Sequence, residues 1–174
     1  GSPSSMQEDQ QNTLDWTQHA SHVGWYDYIY GTPYLLPRVY FHLMASYLRF
    51  GHEHGVRALY AEAYPNWGEG PKLYVALKLQ WDPEQDVDAL LEEWYTAAVG
   101  PDAAPYLAAY YAHWERFWTQ RLSKTAWFGI PGFLRFYHPG YLDIVEYEEI
   151  TRSRELLELA LANARTEDQK ARAV

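Results

Sequence analysis

Glu62 stands near the carboxyl end of a short apolar run, Val56 to Ala63, and a loop rich in Gly, Pro and aromatic residues follows it through Gly70. A carboxylate at the top of a buried strand is how α/β folds present polar groups to a ligand. Tyr64, Asn66 and Trp67 share the loop, and the flat faces of Tyr and Trp suit sugar rings. The same residues admit a second reading. Glu62 then pairs with a nearby Arg in a structural network and the aromatics are packing, since perturbed carboxylates are often merely structural.

Asp27 is the second carboxylate in a telling position. It interrupts Val23 to Tyr30, a run dense in β-branched and aromatic residues that reads as a strand. Alternation sets Trp25, Asp27 and Ile29 on one face, and Tyr26, Tyr28 and Tyr30 on the other. A charge inside an apolar strand is costly unless it is paired or used. Asp27 therefore accepts backbone N–H groups, pairs with an Arg, or does chemistry. His52-Glu53-His54 has a metal-binding spacing, but no third ligand sits at motif distance, so it reads as a solvated connection. No metal and no cofactor is implied. With no Cys in the chain, thiolate chemistry and disulfides are excluded.

The elements that must hold these groups follow from periodicity. After the first strand comes a loop, Gly31 to Pro37. A helix then carries Val39, Tyr40, Leu43, Met44, Tyr47 and Leu48 at helical spacing and stops at Gly51. The second strand, Val56 to Ala63, completes a βαβ unit with parallel strands. Two parallel strands alone make a poor sheet, and their edges invite pairing. The unit therefore reads as the last part of a larger sheet.

Everything after it is helical. Leu73 to Trp81 is apolar nearly all round, which predicts burial. Asp82-Pro83 opens the next helix, with Asp82 as cap and Gln85 completing a capping-box pattern. Its stripe is Val87, Leu90, Leu91, Trp94 and Ala98, and Gly100-Pro101 ends it. An aromatic stripe predicts a helix from about Ala103 to Leu122. Thr125 to Gly140 holds too many breakers for a helix. A last helix starts at Thr151, which can cap it. The chain thus divides into a vector-derived tag and disordered leader (1–13), the βαβ segment (14–82), a helical extension (83–165) and a frayed tail (166–174). The fold class is mainly α with a small parallel β component.

Composition narrows the partners. A net charge of −9 opposes binding to phosphate backbones or anionic membrane surfaces. No run of about 18 uninterrupted apolar residues marks a transmembrane helix. Eight Trp and sixteen Tyr in 174 residues are a large excess. That excess fits carbohydrate binding. It fits equally a piece of a larger polypeptide whose interface aromatics lie open.

The order Tyr26-Asp27-Tyr28, a Pro-rich loop, a helix and Tyr60-Ala61-Glu62 is followed by Leu73 to Trp81-Asp82-Pro83, Asp86 to Leu91 and Gly100. From about Trp16 to Arg121 this resembles the end of the catalytic region in a bacterial family of unknown function. That family includes glycoside hydrolases similar to endo-β-N-acetylglucosaminidases acting on N-glycans. The resemblance implies the terminal βαβ portion of a (β/α)8 barrel followed by a helical extension, and a secreted or periplasmic setting. It implies that Asp27, Tyr28, Glu62, Tyr64 and Trp67 face a sugar. Trp25 and Asn66 extend that substrate-binding set. Glycosidases use two carboxylates about 5–9.5 Å apart, and Asp27 and Glu62 are the candidate pair, although substrate binding suits both better. The expected function is the carboxyl-terminal portion of a β-N-acetylglucosaminidase-like hydrolase, inactive alone, bound to the remainder of a larger polypeptide and to a carbohydrate. The alternatives are a glycan-binding module without catalysis and a helical scaffold or interaction domain.

Overall fold

In a computed structural model of the chain, residues 3–31, 34–64, 67–130 and 137–173 are described. They are mostly helical, with one parallel sheet of two strands. The order is α1 (Pro3–His19), β1 (Val23–Tyr28), α2 (Phe41–Glu53), β2 (Val56–Glu62), α3 (Lys72–Trp81), α4 (Val87–Val99), α5 (Ala104–Arg116), α6 (Tyr147–Asn163) and α7 (Glu167–Ala173). β1, α2 and β2 form the expected βαβ unit, in the register Tyr26↔Tyr60, Asp27↔Ala61 and Tyr28↔Glu62.

The core lies between α2 and the later helices. Phe41 and Met44 of α2, Val75 and Leu79 of α3, and Trp114 of α5 are almost fully buried. Trp118 ties the aromatic loop before α2 to α5, because its indole Nε1 donates to the Pro37 carbonyl at 2.5 Å. Arg49 of α2 donates to the carbonyls of Pro83 and Gln85 at 2.9 and 3.1 Å, which fixes the turn between α3 and α4. Among the described residues no helix is long and apolar enough to cross a membrane.

Several boundaries differ from those the sequence predicts, each for a local reason. Residues 3–13 are not a disordered leader but the first turns of α1. After Pro3 the segment lacks Gly and Pro, and side chains bond along the helix, as Gln11 does to Asp15 at 2.8 Å. Gly51 lies inside α2 rather than ending it, because the Trp25 indole fills the space a side chain would take. The turn falls at Gly55, whose φ of +94° suits glycine.

α3 is not buried all round: Leu77 and Trp81 are 67% and 91% exposed. α4 begins four residues after the Pro83 signal. Its cap is Asp86, whose side chain accepts from the N–H groups of Asp88 and Ala89. α5 runs on through a π-helical turn, Phe117–Arg121. α6 starts at Tyr147 under a reciprocal Glu146/Glu149 capping box rather than a Thr151 cap. The tail is not frayed either. α7 packs on α4, with Ala173 buried and Arg172 Nε donating to the Ala98 carbonyl at 2.7 Å.

Candidate functional site

The sheet has two unlike faces. α2 covers the face that carries Trp25, Asp27 and Ile29. The Trp25 ring meets Tyr47 of α2 at 6.0 Å between centroids. Asp27 Oδ2 accepts from the Tyr47 hydroxyl at 2.8 Å, and its Oδ1 accepts from the Tyr28 N–H at 2.7 Å. Burial first, and the Asp27 charge second, raise the Tyr47 phenol well above the ordinary tyrosine range. Trp25 and Asp27 are therefore packed beneath the sheet. Neither shares a surface with Glu62.

The other face is aromatic and open to solvent. Tyr26 stacks on Tyr60 with centroids 5.0 Å apart and planes at 24°. Tyr28 meets Tyr26 edge-on at 5.2 Å and Tyr30 at 6.0 Å, and Tyr30 meets Tyr64 at 4.7 Å. These rings form a continuous row across the strands and past their carboxyl ends. Tyr26, Tyr60 and Tyr64 are 55%, 64% and 54% exposed. Glu62 stands in this row and accepts a hydrogen bond from the Tyr26 hydroxyl. That bond is the main cause raising the Tyr26 phenol above its ordinary range. Of the two candidate carboxylates, this face holds Glu62 alone. Asp27 and Glu62 thus cannot flank one glycosidic bond as an acid and its partner.

Tyr28 and Tyr64 of the predicted binding set do share the face with Glu62. Asn66 and the Trp67 side chain lie outside the described residues. Tyr26, Tyr30 and Tyr60 join the site without having been singled out for it. The alternation had already grouped the first two with Tyr28, and Tyr60 follows from the register.

A buried ionic cluster braces the strand ends from behind. Arg38 Nη1 donates to the Tyr30 carbonyl at 3.0 Å and to that of Tyr28 at 3.5 Å. Lys72 is fully buried; its Nζ donates to the Arg38 carbonyl at 2.7 Å and to Glu69 Oε1 at 2.5 Å. Glu69 occupies the space beside Gly31, where an added Cβ would lie 1.6 Å from Oε1. Burial pushes Lys72 down to about 7 and Glu69 up, both toward the neutral form. Among the described residues no group of three or more His, Cys, Asp and Glu could hold a metal ion.

The site is thus a row of tyrosines with one tethered carboxylate. It can stack on the apolar faces of a ring and accept hydrogen bonds from its hydroxyls. A family model described as "Domain of unknown function (DUF4838)" matches residues 2–112, a span that includes both strands and the whole tyrosine row. No curated protein and no solved structure matches the chain.

Proposed function

We propose, from the premise that the chain belongs to the DUF4838 family, that it is a carbohydrate-active segment. It supplies a glycan-binding wall to a β-N-acetylglucosaminidase-like glycoside hydrolase. In this reading the βαβ unit is the closing part of a (β/α)8 barrel and the helices after it are an extension. Barrel enzymes bind substrate at the carboxyl ends of their strands. The observation that carries the reading is the tyrosine row at those ends, with Glu62 among the rings. Tyr60 and Tyr64 would stack on sugar rings, and Glu62 would accept from sugar hydroxyls. Both catalytic carboxylates would then come from elsewhere in a larger polypeptide, because Asp27 is turned away.

The open face supports a second reading too. A sheet of two parallel strands with uncovered aromatics on one side is what the interior of a larger sheet looks like when cut. The same rings would then meet further strands.

A glycan array and titrations with chitooligosaccharides test the leading reading. Binding that Tyr60→Ala and Tyr64→Ala each weaken, in variants with unchanged melting curves, is the expected outcome. A blank array, together with no turnover of aryl N-acetylglucosaminides by a longer polypeptide containing this chain, would overturn it.

A further inference from the structure

A second concavity lies away from the tyrosine row, between α2, α4 and α5. Its volume is about 350 Å³, within the range of small-molecule sites. Leu91 and Tyr95 of α4 and Ala104 and Ala108 of α5 line it, and Phe41 and His42 of α2 close one end. The alanines leave room that larger side chains would fill.

At the closed end Glu115 is 8% exposed, and its carboxylate is held by His42. Oε1 accepts the His42 backbone N–H at 2.8 Å, and Oε2 lies 2.9 Å from Nδ1. His42 Nε2 is 3.2 Å from Asp88 Oδ1 at the mouth. A carboxylate thus stands at each ring nitrogen, an arrangement that favours the protonated ring. The contact also caps α2, whose Tyr40 makes no side-chain cap. A cap alone needs no cavity, however. It also leaves a lone pair on each Glu115 oxygen, and among the described residues no donor besides His42 reaches either. A carboxylate that borders an apolar space and keeps acceptor capacity can take a further donor.

We propose that this cleft binds a small organic cation, a primary ammonium on a short apolar body. Asp88, Glu92 and Glu115 outnumber the one His in the lining, so the site favours positive charge. The ammonium has the three donors that Glu115 and the mouth can accept. Leu91, Tyr95 and the alanines take the apolar body. This site is independent of the glycan reading.

The test is an NMR titration of the isotope-labelled chain with n-butylammonium, with neutral n-butanol as control. Saturable shifts should centre on His42, on 88–96 and on 104–115, with the ammonium and not the alcohol. Ala108→Leu, at a partly buried helix position, should weaken binding at least tenfold, the factor that about 1.4 kcal/mol gives. Glu92→Gln, at the exposed rim, should weaken it severalfold and serves if the first variant fails to fold. No saturable shift, equal binding of the alcohol, or unchanged binding in whichever variants fold would each overturn the proposal.

Discussion

Asp27 and Glu62 stand one register step apart on adjacent strands and point to opposite sides of the sheet they share. Asp27 is bound from below by Tyr47, and Glu62 from above by Tyr26. The two carboxylates therefore do different work. One fastens α2 to β1, and the other lies on an open aromatic surface.

That division predicts a split between stability and binding. Tyr47→Phe removes a donor from a part-buried carboxylate and should cost about 1–3 kcal/mol in urea unfolding. It should leave sugar affinity unchanged. Glu62→Gln keeps the shape of a half-buried side chain and an oxygen that can accept from Tyr26, and should move stability by less than about 1 kcal/mol. In the glycan reading it weakens binding by about tenfold, the loss of one charge-assisted hydrogen bond. Calorimetric titration beside urea melts separates the two effects. Equal losses of stability in both variants would contradict the assignment.

The buried Glu69–Lys72 pair should behave as a unit. Lys72→Met alone strands a buried carboxylate and should cost about 3–5 kcal/mol. The double variant Glu69→Leu/Lys72→Met should recover most of that loss, because an apolar pair of similar volume replaces an ion pair that paid heavily for desolvation. A double-mutant cycle in guanidinium measures the coupling, expected at about 1–3 kcal/mol. Additive losses would mean that the two side chains act separately. Gly31→Ala should destabilise in the same assay, because its Cβ would drive into the Glu69 carboxylate.

His42 carries a pH dependence with a definite sign. Burial alone would lower its pKa, but Glu115 and then Asp88 outweigh it and the result is raised above 6.5. Asp88 and Glu92 from α4 and Glu115 from α5 face it. A raised folded pKa means that its contribution is complete below the unfolded value of 6.5. It is lost as pH rises through the higher folded value. The stability difference between the parent chain and His42→Gln should therefore shrink as pH climbs above 6.5. His113 has the opposite sign, since burial lowers its pKa. The difference between parent and variant cancels its contribution. A difference that grows with pH would overturn the sign.

Much of the site was legible because a strand alternates. The placing of Tyr26, Tyr28 and Tyr30 together, opposite Trp25 and Asp27, needs only the period of two. What alternation within one strand cannot fix is the register of the next. A slip of one residue would have turned Glu62 to the Asp27 side and made the carboxylates neighbours. The register depends on how α2 crosses over, and thus on contacts such as Trp25 against Gly51 that no local pattern announces. The helix starts failed for another reason. Asp82 and Asp86 are both good caps, and the choice between them is made by Arg49 holding Pro83 and Gln85 in a turn. Glu69 and Lys72 are neighbours at i,i+3 spacing, but Arg38 lies 34 residues before Lys72, and only the fold brings it to them.

Gly100 offers the sharpest test of how the last helix is seated. Its φ of 86° and ψ of 161° lie in a region essentially restricted to glycine. A Cβ there would also come within 2.6 Å of the Gln169 side chain of α7. Gln169 is in turn engaged by the Arg165 N–H at 2.9 Å, so it cannot swing aside freely. Gly100→Ala should therefore cost about 1–3 kcal/mol from the backbone alone, and loosen α7 in addition. Hydrogen exchange should report both effects, with faster exchange across 167–173 and at the carboxyl end of α4. Gln169→Ala in the same chain removes the clash but not the backbone strain, so it should restore part of the loss and no more. Full rescue would mean that the collision with α7, and not the dihedral, sets the penalty.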